Sequence, residues 1–373
     1  MKKTLVALSV LAAAASVNAA EVYSTDTSKV SLSGEVDAYV TTTDIEKQSS
    51  TDGNPSGVIR SETDPSVMVW GKIQLDAEYQ VSDTLTSFAS FEIESSTDFD
   101  SADTDNNAKF DDMYIGVKTD TWGVAVGEVG DLAESMDAIE KGDITNEGQF
   151  FGSAGGHRSE SDGHGIVFKA ELTDGLVFVA DVNTESNKDV DNTYGASLDW
   201  AINDMFSVGA TIVNGEVAQD VDYQVGGLSA SVTVGGFFFA ATYAQYEGVN
   251  SYGLFGDSSK RTVSVTSEVN AVLEDKYAYT DGDAYGVAAQ YTIDKTRLYA
   301  TYDVMTLDEF TANNNNANGD TSNLVLGAEY SILENVTIFG EYQTVETSND
   351  FDGAHGAKGL DADTFVLGTY YTF

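Results

Sequence analysis

Short stretches in which apolar and polar residues alternate run the whole length of this chain, and they constrain its fold more than any other feature. In residues 30–40, Val30, Leu32, Val36, Ala38 and Val40 fall on one face and Ser31, Ser33, Glu35, Asp37 and Tyr39 on the other. That two-residue period is the mark of a β-strand with one apolar side. The next segment divides the same way, with Val67, Val69, Ile73, Leu75, Ala77, Tyr79 and Val81 set against Lys72, Gln74, Asp76, Glu78 and Gln80. Seven short polar turns join such segments in pairs, at 82–84, 119–121, 173–175, 203–204, 235–236, 294–295 and 334–335. Longer polar stretches separate the pairs, at 41–65, 95–109, 128–164, 184–192, 214–222, 246–283, 305–322 and 343–362. Seven turns and eight long connections define 16 strands in one meander.

Sixteen apolar faces of similar weight in one undivided segment are too many for the shared core of a soluble sandwich, where facing sheets each bury one side. Closing the sheet on itself places that apolar band in lipid, satisfies every backbone hydrogen bond and removes the edges. The expected fold is therefore all-β, a 16-stranded antiparallel transmembrane β-barrel with short periplasmic turns and long extracellular loops. Only Pro55 and Pro65 interrupt the chain with proline, and there is no cysteine, so disulfides play no part.

Residues 1–19 read as a separate unit: Met1, Lys2 and Lys3, an apolar run from Leu5 to Val17, then Asn18, Ala19 and Ala20. This is the layout of a cleaved secretory signal peptide, leaving 20–373 as one barrel domain in the bacterial outer membrane. No later segment reaches the ~18 consecutive apolar residues of a helical span. Removing Lys2 and Lys3 from the 18 basic residues leaves 16 against 61 acidic ones, a formal charge of −45. Such a polyanion repels nucleic acid. Disorder is a poor reading of that charge, given 42% hydrophobic and 11% aromatic residues.

Three stretches carry a family resemblance. Residues 29–37 read Lys-Val-Ser-Leu-Ser-Gly-Glu-Val-Asp, residues 113–118 and 122–127 read Met-Tyr-Ile-Gly-Val-Lys and Trp-Gly-Val-Ala-Val-Gly, and the chain ends on alternating Phe365, Leu367, Thr369, Tyr371 and Phe373. In this order they resemble the start, the fourth and fifth strands and the C-terminal strand of the Gram-negative general-diffusion porins. The resemblance spans the chain after residue 19. It implies a homotrimer, both termini periplasmic, and a third loop folded into the channel as its constriction. It also implies an assembly signal in the terminal strand, here Phe373 and Tyr371.

On that reading the third long stretch, 128–164, supplies the site. It carries Glu128, Asp131, Glu134, Asp137 and Glu140 as candidate pore carboxylates. Related porins set a basic cluster opposite, and Lys72 and Arg158 stand where two such residues are found, with Lys169 a further inward candidate. Glu35, Asp37 and Asp76 are acidic positions on the polar strand face. Glu35 stands where the family often has a lysine, and Asp111 and Asp112 stand where basic character is common, so the positive half of the pore is depleted. The aromatic residues Trp122, Trp200, Tyr302, Tyr330, Tyr342, Tyr371 and Phe373 are placed for the lipid interface.

Enzyme chemistry is poorly supported. His157, His164 and His355 all fall in loops without a second ligand or base at helical spacing. The run 103–107 has the start of a calcium loop, but Ala108 replaces the turn glycine and Tyr114 the bidentate glutamate. No metal or cofactor is expected. The expected function is a passive diffusion channel for small hydrophilic solutes and ions that prefers cations, with outer-membrane lipid and lipopolysaccharide as its surroundings. A solute-specific channel is the alternative, although inward Tyr39, Tyr114 and Tyr299 are scattered, and loops serving as adhesin or phage receptor are compatible with either.

Overall fold

The computed structural model describes residues 19–373 apart from 52–53, 96–107, 131, 155–164, 251–278, 312–314 and 351–358. Sixteen strands form the wall. They are β1 (Ser28–Thr51), β2 (Ser66–Ser82), β3 (Leu85–Ser95), β4 (Ala108–Lys118), β5 (Trp122–Gly127), β6 (Gly165–Thr173), β7 (Leu176–Asn183) and β8 (Thr193–Ala201). The second half comprises β9 (Phe206–Ala218), β10 (Val221–Val234), β11 (Phe237–Asn250), β12 (Tyr279–Ile293), β13 (Thr296–Thr306), β14 (Asp320–Leu333), β15 (Val336–Thr347) and β16 (Asp361–Thr372). Each pairs antiparallel with the next, and β1 pairs with β16 from Glu35 opposite Thr372 to Glu46 opposite Asp361, which closes the barrel.

All seven short turns lie between the expected strands. The chain reverses through Gly235 and Gly236 in one and through Asp294 and Lys295 in another, with Gly235 at φ 61 and Asp294 at φ 51. That left-handed backbone matches the twist of a tight hairpin and suits glycine and aspartate. The long connections differ more from expectation. β1 runs through Thr51 and pairs with a strand at Asn54–Glu62, so the first loop is largely a hairpin standing on the rim. The stretch 214–222 is not a long loop: β9 and β10 continue to Ala218 and from Val221, joined by Gln219 and Asp220. In the seventh loop, Glu309–Phe310 pairs with Asn315–Asn316, giving part of the asparagine run a partner. A β-ladder supplies backbone hydrogen bonds whatever the side chains, which is why strands outrun the apolar alternation that reveals them. The sixth-loop segment 260–278 lies outside the described residues.

Polarity is inverted relative to a water-soluble domain. Val67, Ile115, Ile212, Leu228 and Leu367 stand outward and exposed, while Ser31, Asp76, Thr211, Asp303, Asn323 and Glu341 are buried inside. All seven aromatic residues assigned to the lipid interface are among the exposed ones. At the seam the chain ends share one strand position. Phe373 N donates to Gly34 O, and Gly34 N to Phe373 O, each at 2.9 Å, and Ala20–Ser24 then pairs with the foot of β1.

Candidate functional site

Gly127 ends β5 at φ 132, where any residue with a Cβ would be strained and would strike the Met113 carbonyl. From there the third loop turns into the lumen. Val129, Leu132 and Ala133 pack with Phe88, Tyr114, Ala125, Val167 and Val179 of β3 to β7. Met136, Ile139 and Phe151 join a second cluster with Tyr223, Val225, Ala244 and Met305 of β10 to β13. Glycines make room for this seat: a Cβ on Gly195, Gly209, Gly227 or Gly286 would run into Ser135, Ala138, Ile139 or Phe150 respectively.

Wall side chains then pin the loop backbone in order. Thr211, Ser229 and Thr242 donate their hydroxyls to the carbonyls of Ser135, Ala138 and Ile139, at 2.5, 2.6 and 2.8 Å. Asp181 accepts the Ser135 N–H, and Asp303 accepts that of Phe151 at 3.0 Å. Glu341 accepts three consecutive N–H groups, those of Asn146, Glu147 and Gly148 at 2.6, 2.8 and 2.9 Å, together with the Tyr299 hydroxyl at 2.6 Å. Arg297 donates to the Ile144 carbonyl at 2.7 Å and pairs with Glu329 at 2.6 Å. Charged acceptors make the stronger bonds, so Glu341 and the two aspartates hold the loop against the wall. None of these residues stands out in the sequence except by its inward position in an alternating strand.

The structure brings together Glu134, Asp137 and Glu140, whose carboxylate oxygens lie within 4.8 Å of one another around the short 3-10 turn Met136–Ile139. Glu128 sits apart at the loop's start, where its carboxylate accepts the Met113 N–H at 2.7 Å. Asp131 and Arg158 lie outside the described residues. Lys72 faces inward and pairs with Glu92 at 3.0 Å. Lys169 is buried on β6 and forms no ion pair among the described residues, and the carboxylates whose field reaches it are Asp137 and Asp199. Asp76 is buried and accepts the Ser90 hydroxyl at 2.7 Å.

Between loop residues 145–147 and the wall of β1 to β4 and β16 lies an open chamber of about 560 Å³. Glu35, Asp37, Tyr39, Trp70, Lys72, Glu94, Lys109, Glu147 and Tyr370 all border it. Its two lysines are already neutralised, Lys72 by Glu92 and Lys109 by Glu94 at 2.5 Å and Asp111 at 3.2 Å. The same holds for Lys118 with Glu78 at 2.5 Å and for Lys141 with Asp199 at 2.6 Å. Among the inward tyrosines, Tyr39 is not isolated: it meets Phe339 and Tyr370, with Trp70 packed alongside. Tyr114 meets Phe88 edge-on, and Tyr299 is bound to Glu341. Trp70 and Tyr370 could have been placed from the alternation alone, since both share the parity of polar neighbours.

Comparison with known proteins agrees with this architecture. The family model described as Gram-negative porin matches residues 7–350. Porin-like protein L of Photobacterium profundum is 25% identical over 405 residues, covering 100% of both chains. Outer membrane protein U of Vibrio vulnificus is 28% identical over 289 residues, 71% of this chain and 74% of its own. In fold, the chain resembles OmpF of Salmonella typhi with a TM-score of 0.68 at 16% identity, covering 95% of this chain and 100% of that one. OmpT of Vibrio cholerae, in its trimer form, gives 0.63 at 16% identity over 93% and 100%. A closed barrel with an apolar outside, a polar lumen and an inserted loop is built as a channel rather than an enzyme, and the chain belongs to the Gram-negative porins of the outer membrane.

Proposed function

We propose that the protein is a passive diffusion channel for small hydrophilic solutes and ions that prefers cations, with its selectivity set where the third loop crosses the lumen. The observation that carries this reading is the carboxylate group of Glu134, Asp137 and Glu140 on the inserted loop, in a lumen where Lys72, Lys109, Lys118, Lys141 and Arg297 are each paired with an acid. Fixed negative charge without mobile positive charge inside a low-dielectric wall concentrates cations, and each ~1.4 kcal/mol of potential energy enriches a monovalent cation about tenfold. Assembly as a homotrimer after removal of residues 1–19 is part of the proposal, supported by the trimeric form of the Vibrio cholerae neighbour. Lipopolysaccharide would surround the trimer, facing the outward apolar band.

Reversal potentials across planar bilayers under a salt gradient test the reading. Replacing Glu134, Asp137 and Glu140 with Gln, Asn and Gln should lower the cation preference both at 0.1 M salt, where the Debye length is about 10 Å, and at 1 M, where it is about 3 Å. An unchanged preference in this variant would refute the assignment.

A further inference from the structure

Lys169 is 7% exposed, and its ammonium makes no hydrogen bond or ion pair among the described residues. Burying a charge is costly unless a partner of opposite sign meets it, because the hydration it loses is not replaced. The carboxylates whose field reaches it are engaged elsewhere: Asp199 is bound to Lys141 at 2.6 Å, and Asp137 belongs to the loop group with Glu134 and Glu140. Lys169 lines a cavity of about 320 Å³ at the end of the barrel that carries the short turns. The fold has dried this ammonium without pairing it, and a solute in the cavity can reach it.

Strand register explains how the space arises. Lys118 of β4 stands opposite Gly123 of β5, and Gly123 stands opposite Lys169 of β6, so the two lysines flank a residue with no side chain. Their Cα atoms are two strand spacings apart, roughly 9.6 Å, which leaves room for a carboxylate between them. Thr86 and Gln80 continue the row on β3 and β2, so this inward level holds hydrogen-bond donors and no acid. Lys118 is held by Glu78 at 2.5 Å, which leaves Lys169 as the charge available to a ligand.

The outer side of the cavity has the opposite sign. Asp83 and Asp120 of two short turns line it, with Glu171, two residues beyond Lys169 on the same inward face, and none of the three forms an ion pair among the described residues. They repel a dianion, whereas a solute that carries its own ammonium is attracted at both ends. Two residues of strand span roughly 6.6 Å, so the two charges of a fitting solute lie several bonds apart.

We propose that this cavity binds small zwitterions, with the carboxylate on the Lys169 ammonium over Gly123 and the cationic end toward Glu171 and the turn aspartates. The proposal goes beyond the channel reading and uses none of the Glu134, Asp137 and Glu140 carboxylates, so each can fail without the other.

Protection of Lys169 from reductive methylation in the full protein tests it. Formaldehyde with cyanoborohydride methylates amines without removing their charge, and quaternary ammonium probes do not consume the reagent. Peptide mass spectrometry follows Lys169 against Lys188, whose side chain is 84% exposed and serves as the reference. The zwitterion 4-(trimethylammonio)butanoate should slow methylation of Lys169 at least about fivefold, at a concentration where butanoate slows it less than about twofold and butyltrimethylammonium leaves it unchanged. In Glu171→Gln the zwitterion should protect no better than butanoate, and an undiminished preference there would overturn the placement of the cationic end. Equal protection by zwitterion and butanoate in the wild-type protein, or protection by neither, would overturn the site. So would a Lys169 that resists methylation in the free protein, since the proposal requires its ammonium to be open to the cavity. Potassium conductance of the same preparation in planar bilayers tests the channel reading separately.

Discussion

Glu341 is the residue on which the third loop most depends, and replacing it with glutamine gives a sharp test. Its two oxygens accept four hydrogen bonds, Oε1 from Asn146 N and Tyr299 OH, Oε2 from Glu147 N and Gly148 N. Glutamine keeps one carbonyl oxygen but turns the other position into an NH2 group, which faces donors with a donor. Two charge-assisted bonds are lost, each worth about 1.5–3 kcal/mol, and the other two weaken because the acceptor is no longer charged. Water entering the lumen recovers part of this, so a net loss of about 3 kcal/mol in the seating of residues 146–148 is the central value. That corresponds to roughly a hundredfold increase in the unseated population of this segment. The rest of the loop stays in place, because Thr211, Ser229, Thr242 and Asp303 hold other residues. Single-channel recording should show larger open-channel noise and a raised mean conductance in Glu341→Gln. Traces indistinguishable from wild type, from a folded protein, would show that apolar packing alone seats the loop and that the hydrogen-bond argument is wrong.

Deleting Phe373 should lower the yield of heat-resistant assembled barrel in outer membranes, since the deletion removes both hydrogen bonds to Gly34 and the ring that covers it; normal yield would contradict a role in closing the seam. Leu367→Arg, on the lipid face, should cost roughly 2–4 kcal/mol of folding free energy in lipid vesicles, while Gln80→Arg, facing the lumen, should cost far less. Val366 has the inward parity of its strand, but it is 3% exposed and packed with Tyr39 and Phe339, so Val366→Arg should also be costly. Gly209→Val should displace the 3-10 turn, because the new side chain needs the space of the Ala138 carbonyl, and raised conductance with a shifted cation preference would report it.

Much of the architecture follows from local regularities that any reader of the chain can find. A period of two places Val67, Ile73 and Leu367 on one face and Lys72, Asp76 and Glu35 on the other, and short polar pairs such as Gly235 and Gly236 set the turns. From these come the strand number, the inside-out polarity, the exposed aromatic residues and the closure that lipid requires. The candidate acids were legible too, but only as a group, since sequence spacing does not say which loop carboxylates approach one another. Tertiary structure decided that Glu134, Asp137 and Glu140 converge while Glu128 caps the start of the loop. It also decided that Lys72, Lys109 and Lys118 are spent on neighbouring carboxylates. The lysine pairs join residues of different strands, and Glu341 reaches a backbone nearly two hundred positions away. Alternation reports only which way a side chain points, whereas what it meets there depends on the course of an irregular loop through the lumen, and that course is set by packing and by hydrogen bonds that have no period in the sequence.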